Sequence, residues 1–162
     1  MSRFLPLLLL APALAAQAPL GTWTLAKAPD LDAAVEAAVK ETSFLIRPIA
    51  RGRLKKTNPA YQRVVIERKE DTFVVTFDAR KPQRMPASGA VVKWTREDGE
   101  TFDLSMRLQG EDLVQTYHTH DGQRTNVYHV DPATRTLTIN VTVSSGKLPK
   151  PLVYALAYKA AP

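Results

Sequence analysis

Three histidines are the side chains with the widest chemical range in this 162-residue chain: His118, His120 and His129. A neutral imidazole binds metal ions or accepts a proton, and a protonated one contacts anions. His118 and His120 stand two residues apart, so both point to one face of a strand. The turn signal Asp121-Gly122 folds the next strand back beside them, and His129 then falls on the same face. This spacing is compatible with a metal site, a general base or the polar wall of a cavity.

The geometry of paired strands argues against a metal ion at these histidines. Side chains placed diagonally on neighbouring strands are at least about 7 to 8 Å apart, whereas zinc holds each nitrogen ligand at about 2.0 to 2.1 Å. The nearest carboxylate, Asp121, belongs to the turn. We therefore expect neither a metal ion nor any other cofactor, and we interpret the histidines as lining a cavity or flanking a turn.

The other residues that could catalyse a reaction lack the necessary arrangement. A glycosidase needs two carboxyl groups about 5 to 9.5 Å apart across one substrate, but the acidic clusters at 97–103 and 111–112 fall at turns and solvent-facing positions. The chain has no cysteine, no Gly-x-Ser-x-Gly elbow and no phosphate-binding glycine loop. We predict that the protein is not an enzyme. An isomerase-like reaction would need His118 or His129 as a base and a carboxylate to orient the ring.

Basic residues are concentrated between positions 47 and 69. Eight cations lie there against the single acid Glu67: Arg47, Arg51, Arg53, Lys55, Lys56, Arg63, Arg68 and Lys69. Each such residue near an anionic lipid surface contributes about 1 kcal/mol of attraction, so we expect either transient contact with an anionic membrane or an ordinary solvated face. Nucleic-acid-binding surfaces interleave aromatic side chains with their cations, and only Tyr61 lies in this segment. We expect no nucleic-acid partner.

Residues 1–15 have the composition of a secretory signal peptide. Arg3 precedes an apolar run from Phe4 to Leu14, which ends in the small-residue pattern Ala13-Leu14-Ala15. The run is shorter than the roughly 20 residues that span a bilayer. We therefore predict that residues 1–15 are removed and that residues 16–162 form one domain in an extracytoplasmic compartment, either periplasmic or secreted. The chain has no cysteine, so no disulfide can stabilise that domain.

Strand-like alternation of apolar and polar residues dominates from residue 61 onward. Phe102, Leu104 and Met106, for example, alternate with polar residues. Asp-Gly pairs and other short turns separate the runs, as in β-hairpins. Nine strands are predicted, near 20–26, 61–68, 72–78, 90–96, 101–108, 112–119, 124–130, 136–143 and 152–158. Consecutive antiparallel strands favour a single up-and-down β-barrel of about eight to ten strands, because closure removes the sheet edges.

The segment 30–56, between the first two strands, is predicted to be helical instead. Apolar residues recur there at helical spacing after Asp30, which is positioned as an N-cap. Pro48 interrupts the pattern and predicts two short helices rather than one long helix. The segment 80–89 contains two prolines and is expected to be the least ordered part of the domain.

The first strand begins with Gly21-Thr22-Trp23 and precedes the helical pair and the antiparallel strands. This order of elements resembles the calycins, and specifically their fatty-acid-binding-protein branch. The resemblance implies that Trp23 closes one end of the barrel, that Gly21 lets the backbone pass close by, and that the helices form a lid over the other end. It also implies a small hydrophobic or amphipathic, lipid-like ligand inside the barrel. The alternative for Trp23 is an ordinary core aromatic.

The same resemblance suggests which side chains face the ligand. Aligned on the Asp-Gly turn, the cavity positions of the family fall on Thr116, His118 and His129. The closing strand contributes Leu156 and Tyr158, where the family commonly has an Arg-x-Tyr carboxylate clamp and this chain lacks the arginine. The second clamp arginine of the family falls near His129. The complete set of predicted ligand-binding residues is Val92, Trp94, Leu104, Met106, Thr116, His118, Val127, His129, Leu156 and Tyr158.

A second class of function is open at this point. If side chains of the barrel fill its own interior, the protein would act as a protein-binding or inhibitory module through its basic surface. A cavity of roughly 300 Å³ or more indicates a ligand carrier, and a filled interior indicates a module of the second kind.

Overall fold

A computed structural model of the protein describes residues 18–162, and the predicted signal peptide at 1–15 lies outside the described residues. The described chain folds into ten strands and two helices. The strands are β1 (Gly21–Lys27), β2 (Arg63–Lys69), β3 (Thr72–Phe77), β4 (Gln83–Pro86), β5 (Val92–Thr95), β6 (Thr101–Gln109), β7 (Asp112–His118), β8 (Gly122–Asp131), β9 (Thr136–Ser145) and β10 (Leu152–Ala160), and the helices are α1 (Leu31–Val39) and α2 (Arg47–Thr57). No helix within residues 18–162 is long and apolar enough to cross a bilayer.

All ten strands belong to one antiparallel sheet in the order β4-β3-β2-β1-β10-β9-β8-β7-β6-β5. Strands that follow one another in the chain pair side by side, apart from β4 and β5, and β1 also pairs with β10. β4 and β5 are the two ends of this order and share no ladder, so the barrel is not fully closed. It is nearly closed, because β4 packs against β6. The predicted up-and-down antiparallel barrel, with a helical pair between the first two strands, is confirmed.

The segment 80–89 contains β4, a strand that the sequence reasoning missed. This strand pairs with β3, and its register places Met85 opposite Phe73. The inward residues Gln83 and Met85 are buried, whereas Arg84 between them is exposed. Pro82, just before the strand, and Pro86, its last residue, are compatible with a strand because β4 lies at an edge, where one side of the backbone needs no ladder hydrogen bonds. The prediction that this segment is the least ordered part was therefore wrong.

The two helices lie against each other and against the barrel. Asp30 caps α1, since its side chain accepts a hydrogen bond of 2.9 Å from the amide of Ala33, and α1 buries an apolar face against β10. α2 begins at Arg47, next to the proline that was predicted to separate the helices. A bidentate ion pair joins Arg51 to Glu36 across the pair.

Inward-pointing residues of the strands pack the barrel over much of its depth. The register of β8, β9 and β10 aligns Tyr128 with Ile139, and Ile139 with Leu156. The large side chains that are fully buried are Ile66, Phe73, Met85, Leu104, Met106, Leu113, Tyr128, Leu137, Ile139, Leu152, Leu156 and Tyr158. Burial of apolar surface stabilises a fold by about 25 cal/mol per Å². Because the chain has no cysteine, this core must supply the stability.

Gly21 and Trp23 form a local unit at the start of β1. Gly21 has a φ of +130°, a conformation that side chains rarely adopt, and a Cβ on it would lie 3.8 Å from the Trp23 indole nitrogen. That nitrogen donates to the carbonyl of Pro19 at 3.2 Å. Trp23 is only 6% exposed and belongs to the core. The glycine is therefore favoured by the backbone conformation, since a Cβ at this distance would make only ordinary contact with the indole.

We predict that Gly122→Ala destabilises the protein, because a Cβ at position 122 would lie 2.4 Å from the backbone oxygen of Ser144 on β9. Overpacking of this kind costs about 1–3 kcal/mol in the free energy of unfolding, which urea denaturation measures. The matched control is Gly146→Ala, since a Cβ at Gly146 meets nothing within 4 Å. Equal stability of the two variants would contradict the close approach of β8 to β9.

Candidate functional site

A cavity of about 290 Å³ lies between α2 and one end of the barrel. Its walls include Phe77 and Tyr117, at the C-terminal ends of β3 and β7, and Phe102 and Arg124, near the N-terminal ends of β6 and β8. These termini lie at the same edge of the sheet because neighbouring strands run antiparallel. The α2 side chains, among them Leu54, cover one side of the cavity. The helix therefore acts as a lid over the cavity.

Aromatic side chains form the apolar wall of this cavity. The rings of Tyr61 and Phe77 lie 4.7 Å apart, centroid to centroid. Trp94 lies 6.0 Å from Phe102, and Phe102 meets Tyr117 edge to face at 6.0 Å. Aromatic side chains combine a large apolar area with a preferred packing geometry. The wall is thus suited to flat apolar groups.

Three arginines stack on these rings. Their guanidinium carbons lie 5.3 Å from the centroid of Tyr61 for Arg80, 5.1 Å from that of Phe102 for Arg96, and 5.9 Å from that of Tyr117 for Arg124. Such cation–π contacts contribute about 0.5–2 kcal/mol each, depending on how far the pair is desolvated. The cavity is therefore lined by apolar faces with cations laid over them.

Two of the three arginines also have carboxylate partners. Arg80 lies 3.8 Å from Glu97, and Arg96 donates two hydrogen bonds, of 2.9 and 2.7 Å, to Asp98. The Arg96 guanidinium lowers the pKa of Asp98 to about 2, so this pair stays ionised at neutral pH. Among residues 18–162, no carboxylate pairs with Arg124, whose donors instead reach two neutral amides. Arg124 is the cation of the three with no counter-ion.

Neutral amides fix the position of Arg124. Its Nε donates to Asn126 Oδ1 at 2.9 Å, and its Nη1 donates to Asn58 Oδ1 at 3.1 Å. Asn58 follows α2 directly, is buried, and donates to the carbonyl of Leu54 at 2.9 Å. The guanidinium thus links β8 to the lid helix. Arginine stays cationic at any working pH and presents its donors in a rigid fork that matches acidic groups, so this position is suited to bind an anion.

Two further polar groups near the cavity have no hydrogen-bond partner within the described residues: the indole nitrogen of Trp94 and the hydroxyl of Tyr154. Trp94 lines the cavity. Burial raises the pKa of Tyr154, and the nearby Arg124 opposes that rise, so the hydroxyl stays protonated close to the guanidinium. Buried polar atoms in proteins are nearly always paired. The Trp94 indole, which lines the cavity, is consistent with an acceptor supplied by a ligand or by water.

Five buried polar side chains form a connected layer across β4, β7 and β8, which we call the polar floor: Gln83, Gln115, Tyr117, Asn126 and Tyr128. Gln83 Oε1 accepts from Gln115 Nε2 at 2.7 Å and from the Tyr117 hydroxyl at 2.6 Å. Gln115 Oε1 accepts from Asn126 Nδ2 at 3.2 Å and from the Tyr128 hydroxyl. Burial raises the pKa of both tyrosines, which therefore remain donors.

The barrel is packed on the far side of the polar floor. Across neighbouring strands Met106 is paired with Gln115, and Leu113 with Tyr128, and all four side chains are fully buried. None of them lines the cavity, whereas Gln83 and Tyr117 do. At the lid end the interior contains the cavity, as expected for a ligand carrier. Farther along the barrel the inward side chains are fully buried, as expected for a filled interior.

No family model and no curated protein sequence matches the chain, but solved structures match its fold. An abundant heat soluble (SAHS) protein from Ramazzottius varieornatus gives a TM-score of 0.60 at 10% identity, over 88% of this chain and 94% of that one. A Schistosoma mansoni fatty acid binding protein in complex with arachidonic acid gives 0.54 at 20% identity, over 88% and 96%. Echinococcus granulosus fatty-acid-binding protein 1 gives 0.57 at 13% identity, over 88% and 97%. The chain has the calycin fold.

Among the side chains predicted to bind the ligand, Trp94 lines the cavity of this calycin barrel. Five others pack into or against the hydrophobic core instead of lining the cavity: Val92, Leu104, Met106, Leu156 and Tyr158. The Tyr158 hydroxyl donates to the carbonyl of Tyr61 at 3.0 Å. Ligand contact by these six residues stays a prediction.

The predicted inward orientation is wrong for Thr116 and His118 on β7. The buried residues of that strand are Leu113, Gln115 and Tyr117, at the alternate positions. Because side chains alternate between faces, an error of one residue moves the whole set to the other side. The family alignment on the Asp-Gly turn was off by one residue in this strand, which placed Thr116 and His118 on the inner face.

The same correction applies to Val127 and His129 on β8 of the calycin barrel, where Asn126 and Tyr128 are the buried residues. His129 is exposed, and its Nδ1 lies 2.7 Å from Asp112 Oδ1 on the outer surface. His118 and His129 do share a face, but it is the outer one. No three potential metal ligands come together in the part of the chain that the structure describes.

Arg124 is the main site residue that sequence reasoning missed. The resemblance placed a clamp arginine near His129, whereas the arginine that faces the cavity of the calycin barrel lies earlier on the same strand. One signal could have found it, since Arg124, Asn126 and Tyr128 are polar side chains spaced by two. That pattern was obscured because polar residues here face inward and Val127 faces outward.

We predict that Gln115→Met destabilises the protein by about 1–3 kcal/mol, because removal of one partner leaves buried hydroxyl and amide groups of the polar floor unsatisfied. Methionine keeps the approximate size of the side chain, so the loss reports hydrogen bonding rather than a cavity. Thermal and urea unfolding measure it. The control is Gln123→Met at an exposed position of β8, where a change within about 0.5 kcal/mol is expected. Equal effects would contradict the buried network.

Proposed function

We propose that the protein is an exported binding protein that holds a small amphipathic, lipid-like ligand in the cavity under α2, with the acidic group of the ligand on Arg124. The observation that carries this proposal is the cavity-facing arginine without a carboxylate partner among the described residues. Names of the structural neighbours support the ligand class, since two of them are fatty-acid-binding proteins and one is in complex with arachidonic acid. The predicted signal peptide at 1–15 supports export.

The electrostatics of the cavity favour an anionic ligand over a neutral one. Arg80 and Arg96 are already neutralised by Glu97 and Asp98, so a ligand gains little by competing for them. Arg124 has only neutral partners, and a charge-assisted pair with a carboxylate or similar group is roughly twice as strong as a neutral hydrogen bond.

The lid supplies the means of entry and release. Ile49 and Leu54 of α2 and the N-cap residue Ile46 line the cavity, and the C-terminal end of α2 is joined to the site by the bond from Arg124 to Asn58. A ligand therefore enters when α2 moves away from the barrel rim. Because the Arg124 guanidinium contacts both the ligand position and the lid, binding and lid closure support each other.

We expect Arg124→Met to raise the dissociation constant for 1-anilinonaphthalene-8-sulfonate, an aromatic sulfonate, by about tenfold or more. A hydrogen bond to a charged group contributes about 1.5–3 kcal/mol, and about 1.4 kcal/mol corresponds to tenfold. Fluorescence titration of the mature chain measures it, and circular dichroism checks that the variant is folded. Arg84→Met, at an exposed position of β4, is the control and should bind like the wild type. Equal affinities for all three proteins would contradict the role of Arg124.

A second candidate function, docking on an anionic membrane, is favoured by an apolar patch on the lid. Four of its side chains, which we call the lid patch, are strongly exposed: Phe44 at 76%, Leu45 at 69%, Ile46 at 55% and Ile49 at 72%. Between positions 40 and 56 there are also six cations against the single acid Glu41. Apolar side chains beside basic ones are typical of segments that lie in the membrane interface. Docking there would place the cavity mouth next to a source of amphipathic ligands.

For this docking we expect the double variant Phe44→Ser/Ile49→Ser to lose at least about tenfold in partitioning to vesicles of phosphatidylglycerol and phosphatidylcholine, since each buried side chain of this size contributes about 1.5–3 kcal/mol. Cosedimentation measures it. The control is Leu108→Ser/Val153→Ser, which removes two other exposed apolar side chains, at 51% and 58%, from the barrel wall. If the lid variant partitions like the wild type, the lid patch is not the docking surface, and a protein partner for the basic surface gains support.

A further inference from the structure

We infer that the polar floor restricts the ligand to compact, ring-containing acids and excludes long unbranched acyl chains. This inference rests on the proposed function, since it names the chemical class that the cavity under α2 takes. It depends on three features: the volume of the cavity, the polar floor that ends it, and the aromatic wall beside it.

The volume of the cavity suits a small ligand. The cavity has a volume of about 290 Å³. Ligand cavities of proteins are about 300–1,000 Å³, which places this one at the lower limit. One or two fused rings with an acidic group fill such a space, whereas a long acyl chain needs further room along the barrel axis.

The polar floor blocks that further room. Gln115 and Asn126 are fully buried, and a methylene chain passing between them would break the hydrogen bond that joins them. It would also move Gln115 away from Gln83 and Tyr128, to which it is hydrogen-bonded. Each broken bond that leaves a buried group unpaired weakens binding by roughly fivefold to a hundredfold. Each buried methylene strengthens it by only about fourfold. Several methylenes are therefore needed to offset the loss of two or three hydrogen bonds.

Beyond the floor, buried apolar side chains occupy the interior of the described barrel. Met85, Met106 and Leu113 are fully buried in the hydrophobic core, so an entering chain would have to displace side chains that are already packed. Displacing a packed side chain gains no net burial of apolar surface. The affinity, which rises by about fourfold for each added methylene, should therefore stop rising once the acyl chain of the ligand reaches the polar floor.

The aromatic side chains that line the cavity favour the binding of ligands that contain rings. Tyr61, Phe77, Trp94 and Phe102 present flat apolar surfaces to the cavity, and an aromatic pair strengthens contact by roughly twofold to tenfold beyond its buried area. The unpartnered indole N–H of Trp94 favours a ligand with a second acceptor on the ring. A planar acid thus satisfies Arg124 and the wall together without reaching the floor.

The test measures displacement of 1-anilinonaphthalene-8-sulfonate from the wild-type mature chain by 2-naphthoate and by straight-chain carboxylates of six to sixteen carbons. We expect 2-naphthoate to bind at least about tenfold more tightly than palmitate, and the affinity of the straight-chain acids to stop rising at about eight carbons. Affinity that continues to rise by about fourfold per methylene up to palmitate would overturn the inference and leave the proposed function intact. If neither class displaces the probe, the proposed function itself fails.

A variant provides a second readout. Gln115→Ala removes the central side chain of the polar floor, and we expect it to gain at least about tenfold in affinity for decanoate while its affinity for 2-naphthoate changes by less than about threefold. The control is Gln109→Ala at an exposed position of β6 that does not line the cavity, which should leave both affinities unchanged. A folded Gln115→Ala protein with no gain for decanoate would overturn the role of the floor. If the variant does not fold, the wild-type chain-length series decides.

Discussion

The hydrogen bonds of Gln115 determine how the interior of this barrel is divided. The Gln115 amide accepts from Tyr128 and Asn126 and donates to Gln83, so three strands are joined by one buried side chain. A buried polar group of this kind is costly when unpaired and rigid when fully paired. Apolar packing lies on one side of it and the ligand cavity on the other. The size of the cavity, its polar end and its position under the lid all follow from that division.

Arg124 connects the polar floor to the lid, and this connection gives the site its chemistry. The arginine donates to Asn126 within the floor and to Asn58 at the end of α2. Its charge is balanced by no carboxylate among the described residues, in contrast to Arg80 and Arg96 on the same wall. The site can therefore receive an anion without first breaking an ion pair. Arg124, the polar floor and α2 all border the same small cavity. This arrangement supports a binding function and a limit on the size of the ligand.

The fold was predictable from the sequence to a greater extent than the site. Alternating strands, Asp-Gly turns and the Pro48 break specify the barrel and its helical pair, because these signals are local. Which residues of β7 and β8 point into the barrel was not predictable from apolar alternation, since Gln115, Arg124 and Asn126 are polar and point inward. Their partners come from distant parts of the chain, and Asn58 lies 66 residues from Arg124. β4 was missed for a related reason, because only its edge position makes the prolines before it and at its end acceptable.

The decisive measurement is a crystal structure of the mature chain with 2-naphthoate. We expect the carboxylate to lie within hydrogen-bond distance of Arg124, the rings to lie between α2 and the aromatic wall, and the hydrogen bonds of Gln115 to be intact beneath them. A ligand that extends past Gln115 into the packed part of the barrel, or that binds with its carboxylate away from Arg124, would contradict this expectation.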